Sequence, residues 1–162
     1  EHPSVFTLGT AADNSHILDP KDIPVVQSDR GGEVTYHGPG QLVIYFLLDI
    51  KKLGCGPNKL VVSIQEFIKE LLSDLSIESS FIKGAPGVYV NDKKIASIGL
   101  RISKNKTYHG ISINFDMDLK PFTYINPCGY EGLEVTQIKD FNRNISKLQL
   151  EELVIEKLRH IF

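Results

Sequence analysis

A chain of 162 residues, 41% hydrophobic and 23% charged, is long enough for one well-buried core and short for two. A net charge of -2 and an isoelectric point near 6.2 exclude attachment to nucleic acid through a general basic field. Cys55 and Cys128 lack CxxC spacing, which excludes a disulfide framework or zinc ribbon, and the longest apolar run, residues 42–48, is far shorter than the roughly 20 residues of a membrane span. With no basic-then-apolar leader, the expectation is a soluble protein of the reducing cytoplasm.

Residues 11–18 read as a short helix closed by Asp19 and Pro20, because a residue before proline is pushed out of the helical region. Val25 and Val26 form a brief apolar stretch leading to RGGEVTYHGPGQ at 30–41, a loop dense in glycine that lets the backbone approach a ligand closely. Residues 42–49 read as a buried strand, through Val43, Ile44, Tyr45 and Phe46. Over 58–75, Leu60, Ile64, Phe67, Ile68, Leu71, Leu72 and Leu75 recur at three and four between polar residues, which predicts an amphipathic helix.

Two strands follow, 87–90 and 94–103, joined by a hairpin turn at Asn91, Asp92 and Lys93. A second turn at 104–106 leads to a strand over 108–115, in which Ile111, Ile113 and Phe115 alternate with Ser112 and Asn114, completing a meander. Residues 116–132 hold few periodic apolar positions and read as ordered loop. Ser146 and Gln149 have capping-box spacing and open a last helix with Leu153, Val154, Leu158 and Ile161 on its apolar side. The expected fold is α/β, with a mixed, largely antiparallel sheet flanked by helices.

Cys128 lies in Asn126-Pro127-Cys128-Gly129-Tyr130, where backbone restriction and backbone freedom meet at one thiol. The plainer reading is a small buried hydrophobe; the reactive reading requires a cationic neighbour to favour the thiolate. Lys94, on the apolar side of its strand with Ala96, Ile98, Leu100 and Ile102, is the candidate, although its stem can equally lie on the core with its tip in water. His37 and His109, each in a Tyr-His-Gly sequence, are suited to orient a carbonyl or act as general base, or are buried histidines bonded to backbone. A zinc site from His37, His109 and Cys128 has no recognisable ligand spacing, and Cys55 reads as incidental. The glycine loop lacks both GxxxxGK[ST] and GxGxxG, which leaves it weak as a nucleotide cradle.

RGGEVTYHGPGQ at 30–41, GAPGVYV at 84–90, KKIASIGLRI at 93–102, YHGISINF at 108–115 and INPCGY at 125–130, taken together, resemble the lipoyl (octanoyl) transferases of lipoate biosynthesis. The five blocks stand in that family's order, and EHPSVFTLG at 1–9 is also similar to it. The resemblance implies the fold shared with lipoate-protein ligases and the biotin-ligase catalytic domain. It implies transfer of octanoyl from acyl carrier protein to a lysine of the lipoyl domains of 2-oxo-acid dehydrogenases or of glycine-cleavage H protein, through a cysteine thioester. It identifies Cys128 as nucleophile and Lys94 as its partner. It places substrate against Arg30, Gly31, Gly32, Glu33, Val34, Thr35, Tyr36 and His37, against Ser97, Ile98 and Gly99, and against Gly110, Ile111 and Ser112. No cofactor, metal, nucleic acid or membrane enters that chemistry. Relatives carry an N-terminal strand and helix ahead of the segment matching Glu1, so residues 1–162 are expected to be a single catalytic domain without those two elements. An ATP-dependent lipoate-protein ligase and a non-catalytic acyl-binding module are the competing readings.

Overall fold

The computed structural model describes residues 1–161, and side chains as far as residue 159. Ten short strands and two helices form in this order: β1 (Val5–Leu8), β2 (Val25–Gln27), β3 (Val34–His37), β4 (Gln41–Tyr45), α1 (Pro57–Asp74), β5 (Ser80–Ile82), β6 (Ala85–Val90), β7 (Lys93–Ile98), β8 (Arg101–Ser103), β9 (Lys106–Tyr108), β10 (Gly110–Asn114) and α2 (Lys147–Ile161).

The three-and-four period of the sequence becomes α1. Pro57 stands in its first turn, where a missing N–H is no loss, and Leu60, Ile64, Phe67, Ile68, Leu71 and Leu72 are buried along one face. That face packs against an antiparallel five-stranded sheet of order β4-β10-β7-β6-β5. Val88, Val90, Ile95 and Ile113 join the helix residues in the larger core. The β6–β7 hairpin closes through Asn91 (φ 49) and Asp92 (φ 63), the two left-handed residues of a type I′ turn. β6, β7 and β10 form the expected meander. α2 opens on the expected capping box: Gln149 Oε1 accepts from the Ser146 N–H at 2.8 Å, and Ser146 Oγ accepts from the Gln149 N–H at 3.3 Å. Its Val154 is buried and Leu153 and Leu158 are half-buried, whereas the side chain of Ile161 lies outside the described residues.

A smaller sheet, β2-β1-β3, pairs β1 with β2 in parallel and with β3 antiparallel. Phe6, Leu8, Val34, Tyr36, Met117, Phe122 and Ile125 form a second core beneath it. Residues 116–132 are ordered by two short 3-10 segments, Lys120–Tyr124 and Pro127–Gly129, as expected of a loop that packs.

Five expectations are corrected. The helix expected over 11–18 is only a 3-10 turn, Asn14–His16, because the Asp13 carboxylate accepts from the Ser15 N–H at 2.8 Å and closes a local turn instead. The strand expected to be buried over 42–49 ends at Tyr45 and lies at the sheet edge, with Tyr45 55% and Leu47 78% exposed. The strand expected over 94–103 breaks after Ile98 and that over 108–115 breaks at His109, whose φ is 59; β8 and β9 leave the main sheet as a separate pair. Finally, β7 carries a bulge at Ile95, since Val88 faces Ala96 while Tyr89 faces Lys94, so strict alternation between Lys94 and Ala96 fails.

Candidate active site

Both candidate groups are placed by local backbone chemistry. Pro127, Cys128 and Gly129 form a tight turn in which Cys128 itself takes φ 56, ψ 23 and the Tyr130 N–H returns to the Pro127 carbonyl at 3.1 Å. Left-handed backbone at a side chain with a Cβ is strained and occurs where the surrounding structure imposes it. Lys94 is gripped through its own backbone: its N–H donates to the Glu134 carbonyl at 2.9 Å and its carbonyl accepts from the Thr136 N–H at 3.0 Å.

From that position the Lys94 side chain runs inward and is only 2% exposed. Its Nζ donates to Cys128 Sγ at 3.0 Å and to the Pro86 carbonyl at 3.0 Å, and lies 5.3 Å from the centre of the Tyr89 ring. Gly87, at φ 140, leaves the space for it: a Cβ there would lie 2.9 Å from Lys94 Cε and 2.7 Å from the Ala96 carbonyl oxygen. Burial alone disfavours the ammonium, but the opposing charge and hydrogen bond of Cys128, with help from Tyr89, more than offset it and hold the Lys94 pKa above its ordinary value. Lys94 and Cys128 are thus in direct contact.

Cys128 opens into a cavity of about 600 Å³ between the two sheets. Of the residues expected around substrate, Arg30, Gly32, Glu33, Val34, Thr35 and His37 line it from the small sheet and its loop, and Ser97, Ile98, Gly99, Gly110, Ile111 and Ser112 from β7 and β10. Gly31 and Tyr36 stand behind that wall. The Gly31 N–H donates to the Gly99 carbonyl at 3.2 Å, and a Cβ on Gly31 would lie 2.5 Å from the Leu100 carbonyl oxygen, so the loop can lie this close to the sheet only without a side chain. The Tyr36 ring packs on Phe6 and Phe122, its hydroxyl 3.0 Å from Ser4 Oγ.

Arg30 is 8% exposed and holds the loop to β1: Nε donates to Thr7 Oγ1 at 2.9 Å, one terminal nitrogen to the Gly31 carbonyl at 2.9 Å, and the other to the Thr7 and Glu33 carbonyls at 2.6 Å each. Burial lowers its pKa to about 10 against the raising effects of Cys128 and Glu33. His37 donates or accepts at Nδ1 with Gln41 Oε1 at 2.7 Å, and burial depresses its pKa to about 4, which keeps the ring neutral. His109 bonds through Nε2 to Asp29 Oδ1 at 2.7 Å and holds that carboxyl below the usual carboxylate range. Each histidine is held by a side chain, where a backbone partner was the alternative expected. Among the described residues no group of His, Cys, Asp and Glu side chains could hold a metal ion. Cys55 is a free, half-buried thiol packed against the larger core.

Sequence reasoning missed several lining residues: His2, Tyr45 and Val43 at one side, and Asp29, Pro86 and Tyr130 at others. Pro86 lies in GAPGVYV at 84–90, one of the recognised blocks, which is the signal that could have found it. His2 and Tyr45, whose Nε2 and hydroxyl lie 2.9 Å apart across 43 residues of chain, carried none.

The model of the lipoyl protein ligase A/B catalytic domain matches residues 1–159. The octanoyltransferase of Hahella chejuensis is 55% identical over 146 residues, which are 90% of this chain and 65% of that protein. That of Chromobacterium violaceum is 49% identical over 162 residues, covering 99% of this chain and 78% of that one. The chain therefore spans about two thirds to three quarters of the length of these relatives. In architecture it is similar to a putative lipoate protein ligase of T. acidophilum (TM-score 0.77, 15% identity, covering 99% of this chain and 69% of that one). It is also similar to the biotin protein ligase of Aquifex aeolicus (TM-score 0.61, 18% identity, covering 96% and 67%). The expected fold is the one found.

Proposed function

The chain belongs to the lipoyl protein ligase A/B catalytic-domain family, and from that membership we propose that it is an octanoyltransferase, moving octanoyl from octanoyl-acyl carrier protein to a lysine of lipoyl domains, of 2-oxo-acid dehydrogenases or glycine-cleavage H protein, through a thioester on Cys128. The observation that carries this reading is the 3.0 Å contact between Lys94 Nζ and Cys128 Sγ at the wall of an apolar-lined cavity. The catalytic parts belong to one domain over residues 1–162, working in the reducing cytoplasm, where a thiol persists.

Ammonium and thiolate form the resting pair. The Cys128 thiolate attacks the thioester carbonyl, the new C–S bond forms, and the carrier's C–S bond breaks; the departing thiolate takes a proton from Lys94. The exchange of one thioester for another is near-isoenergetic and needs no ATP. The acceptor's neutral lysine amine then attacks the acyl-enzyme, the neutral Lys94 accepts its proton, and Cys128 leaves as thiolate, restoring the pair. Burial of an alkyl chain of eight carbons, at roughly 0.8 kcal/mol per CH₂, supplies ample recognition.

Intact mass after mixing with octanoyl-acyl carrier protein tests the reading. The expected result is a gain of one octanoyl group, labile to hydroxylamine and absent in Cys128→Ser. A folded protein that acquires no adduct, yet joins free octanoate to a lipoyl domain when given ATP, would instead be a ligase.

A further inference from the structure

His37 lines the cavity, and the partners of its ring fix which nitrogen carries the proton. Two backbone carbonyls, which can only accept, orient the chain of amides behind it. Asn114 Nδ2 donates to the Thr136 carbonyl at 2.9 Å, which turns Asn114 Oδ1 toward Gln41. Gln41 Nε2 then donates to that Oδ1 at 2.9 Å and to the Tyr36 carbonyl at 3.2 Å, and Gln41 Oε1 faces His37 Nδ1 at 2.7 Å. An amide oxygen accepts only, so Nδ1 bears the hydrogen and Nε2 bears a lone pair. Among the described residues Nε2 has no hydrogen-bond donor; the His2 ring stands 5.5 Å away, centre to centre.

The position of that lone pair relative to the thiol follows from the strand. Glu33 touches the cysteine turn, since a Cβ on Gly129 would lie 3.4 Å from Glu33 Cγ. Past Glu33 the chain is extended over β3, Val34–His37, whose three steps cover about 10 Å. This is roughly the length of an extended eight-carbon acyl chain, so His37 stands toward the end of such a chain.

We propose that His37 is a specificity residue at the far end of the acyl cavity, a fixed neutral hydrogen-bond acceptor for acyl chains bearing a donor such as a hydroxyl at their end, and that Gln41 and Asn114 are the positioning residues that hold it in this tautomer. The inference rests on the acyl-transfer reading for its substrate and on geometry for its tautomer. The low basicity of the buried ring, set by burial first and then by Arg30, His2 and the N-terminal amine near it, keeps Nε2 unprotonated across the neutral range.

Two measurements on the folded protein test it separately. Long-range proton–nitrogen NMR of the labelled imidazoles should show His37 with Nδ1 protonated and Nε2 bare from pH 5 to 8, and 8-hydroxyoctanamide, unlike octanamide, should move the Nε2 resonance toward the hydrogen-bonded range. In transfer assays, His37→Phe should lower kcat/KM for an 8-hydroxyoctanoyl thioester about tenfold more than for the octanoyl thioester, the worth of one neutral hydrogen bond, while His37→Gln, which keeps an acceptor oxygen, should restore part of the difference. A proton on Nε2, or equal losses for the two thioesters, would overturn the proposal. If neither thioester is turned over, the transfer reading fails by itself, and the NMR titration still decides whether His37 is an acceptor for a hydroxyl-bearing chain.

Discussion

The packing against α1 and the packing around the cavity solve the same problem, holding chain in place, by opposite means. Against α1 the interface is made by side chains that repeat along the sequence, from Leu60 through Leu72, and by apolar residues of β6, β7 and β10. Around the cavity it is made by groups that do not repeat: a buried guanidinium bonded to carbonyls, an amide chain from Thr136 to His37, a glycine pressed against a carbonyl, and a cysteine at positive φ. Dispersion and burial are non-directional and tolerate any apolar neighbour, whereas each bond on the cavity side requires one atom in one place. The first region is therefore held by burial, and the second by bonds that each need one particular atom.

Substitutions that affect one region and spare the other sharpen this division. The largest effect belongs to Lys94→Met, which keeps length and apolar stem but removes the charge beside Cys128; acyl-enzyme formation followed by rapid-quench mass analysis should slow by about 10² to 10⁴-fold, with the circular dichroism of the native fold retained. Next, Leu71→Ala deletes a fully buried side chain of α1 and should lower stability by about 2 to 5 kcal/mol in urea titration. Its acyl transfer per folded molecule should stay within about twofold; a hundredfold loss would show that the two regions are coupled.

The third effect concerns pH. The His37 ring binds a proton in the unfolded chain below its ordinary value of 6.5 but in the folded chain only below about 4. The unfolded state therefore holds more protons between these limits, and folding stability should fall by about 3 kcal/mol as pH drops from 6.5 to 4. In His37→Gln that part of the acid sensitivity should vanish, read as a flatter plot of urea midpoint against pH. The smallest effect is Ser146→Ala, which removes half of the α2 capping box and should reduce stability by about 1 kcal/mol with no change in transfer rate.

What could be read in advance divides along the same line. Helix α1, the Asn91-Asp92 turn and the Ser146-Gln149 cap depend on residues within a few positions of one another, and all three form where the sequence placed them. Cys128 with Lys94 was legible because a thiol between proline and glycine and a lysine among strand apolars are each locally unusual, and because both stand in recognisable motifs. The edge position of β4 was not legible: residues 42–48 are as apolar as a central strand, and only the strand order β4-β10-β7-β6-β5 leaves Leu47 in solvent. Nor was the break at His109, which His109 meets with φ 59 as β9 turns into β10.

By itself, then, the sequence determined the two long helices, the β6–β7 turn, the fold family and the two candidate residues Cys128 and Lys94, since periodicity, backbone preference and motif act over short spans of chain. Only the tertiary structure decided that Arg30 is a buried brace, that His2 meets Tyr45 across 43 residues, and that His37 lines the cavity with its Nδ1 against Gln41. Those outcomes hang on hydrogen bonds between residues far apart in the chain, whose partners no local pattern specifies.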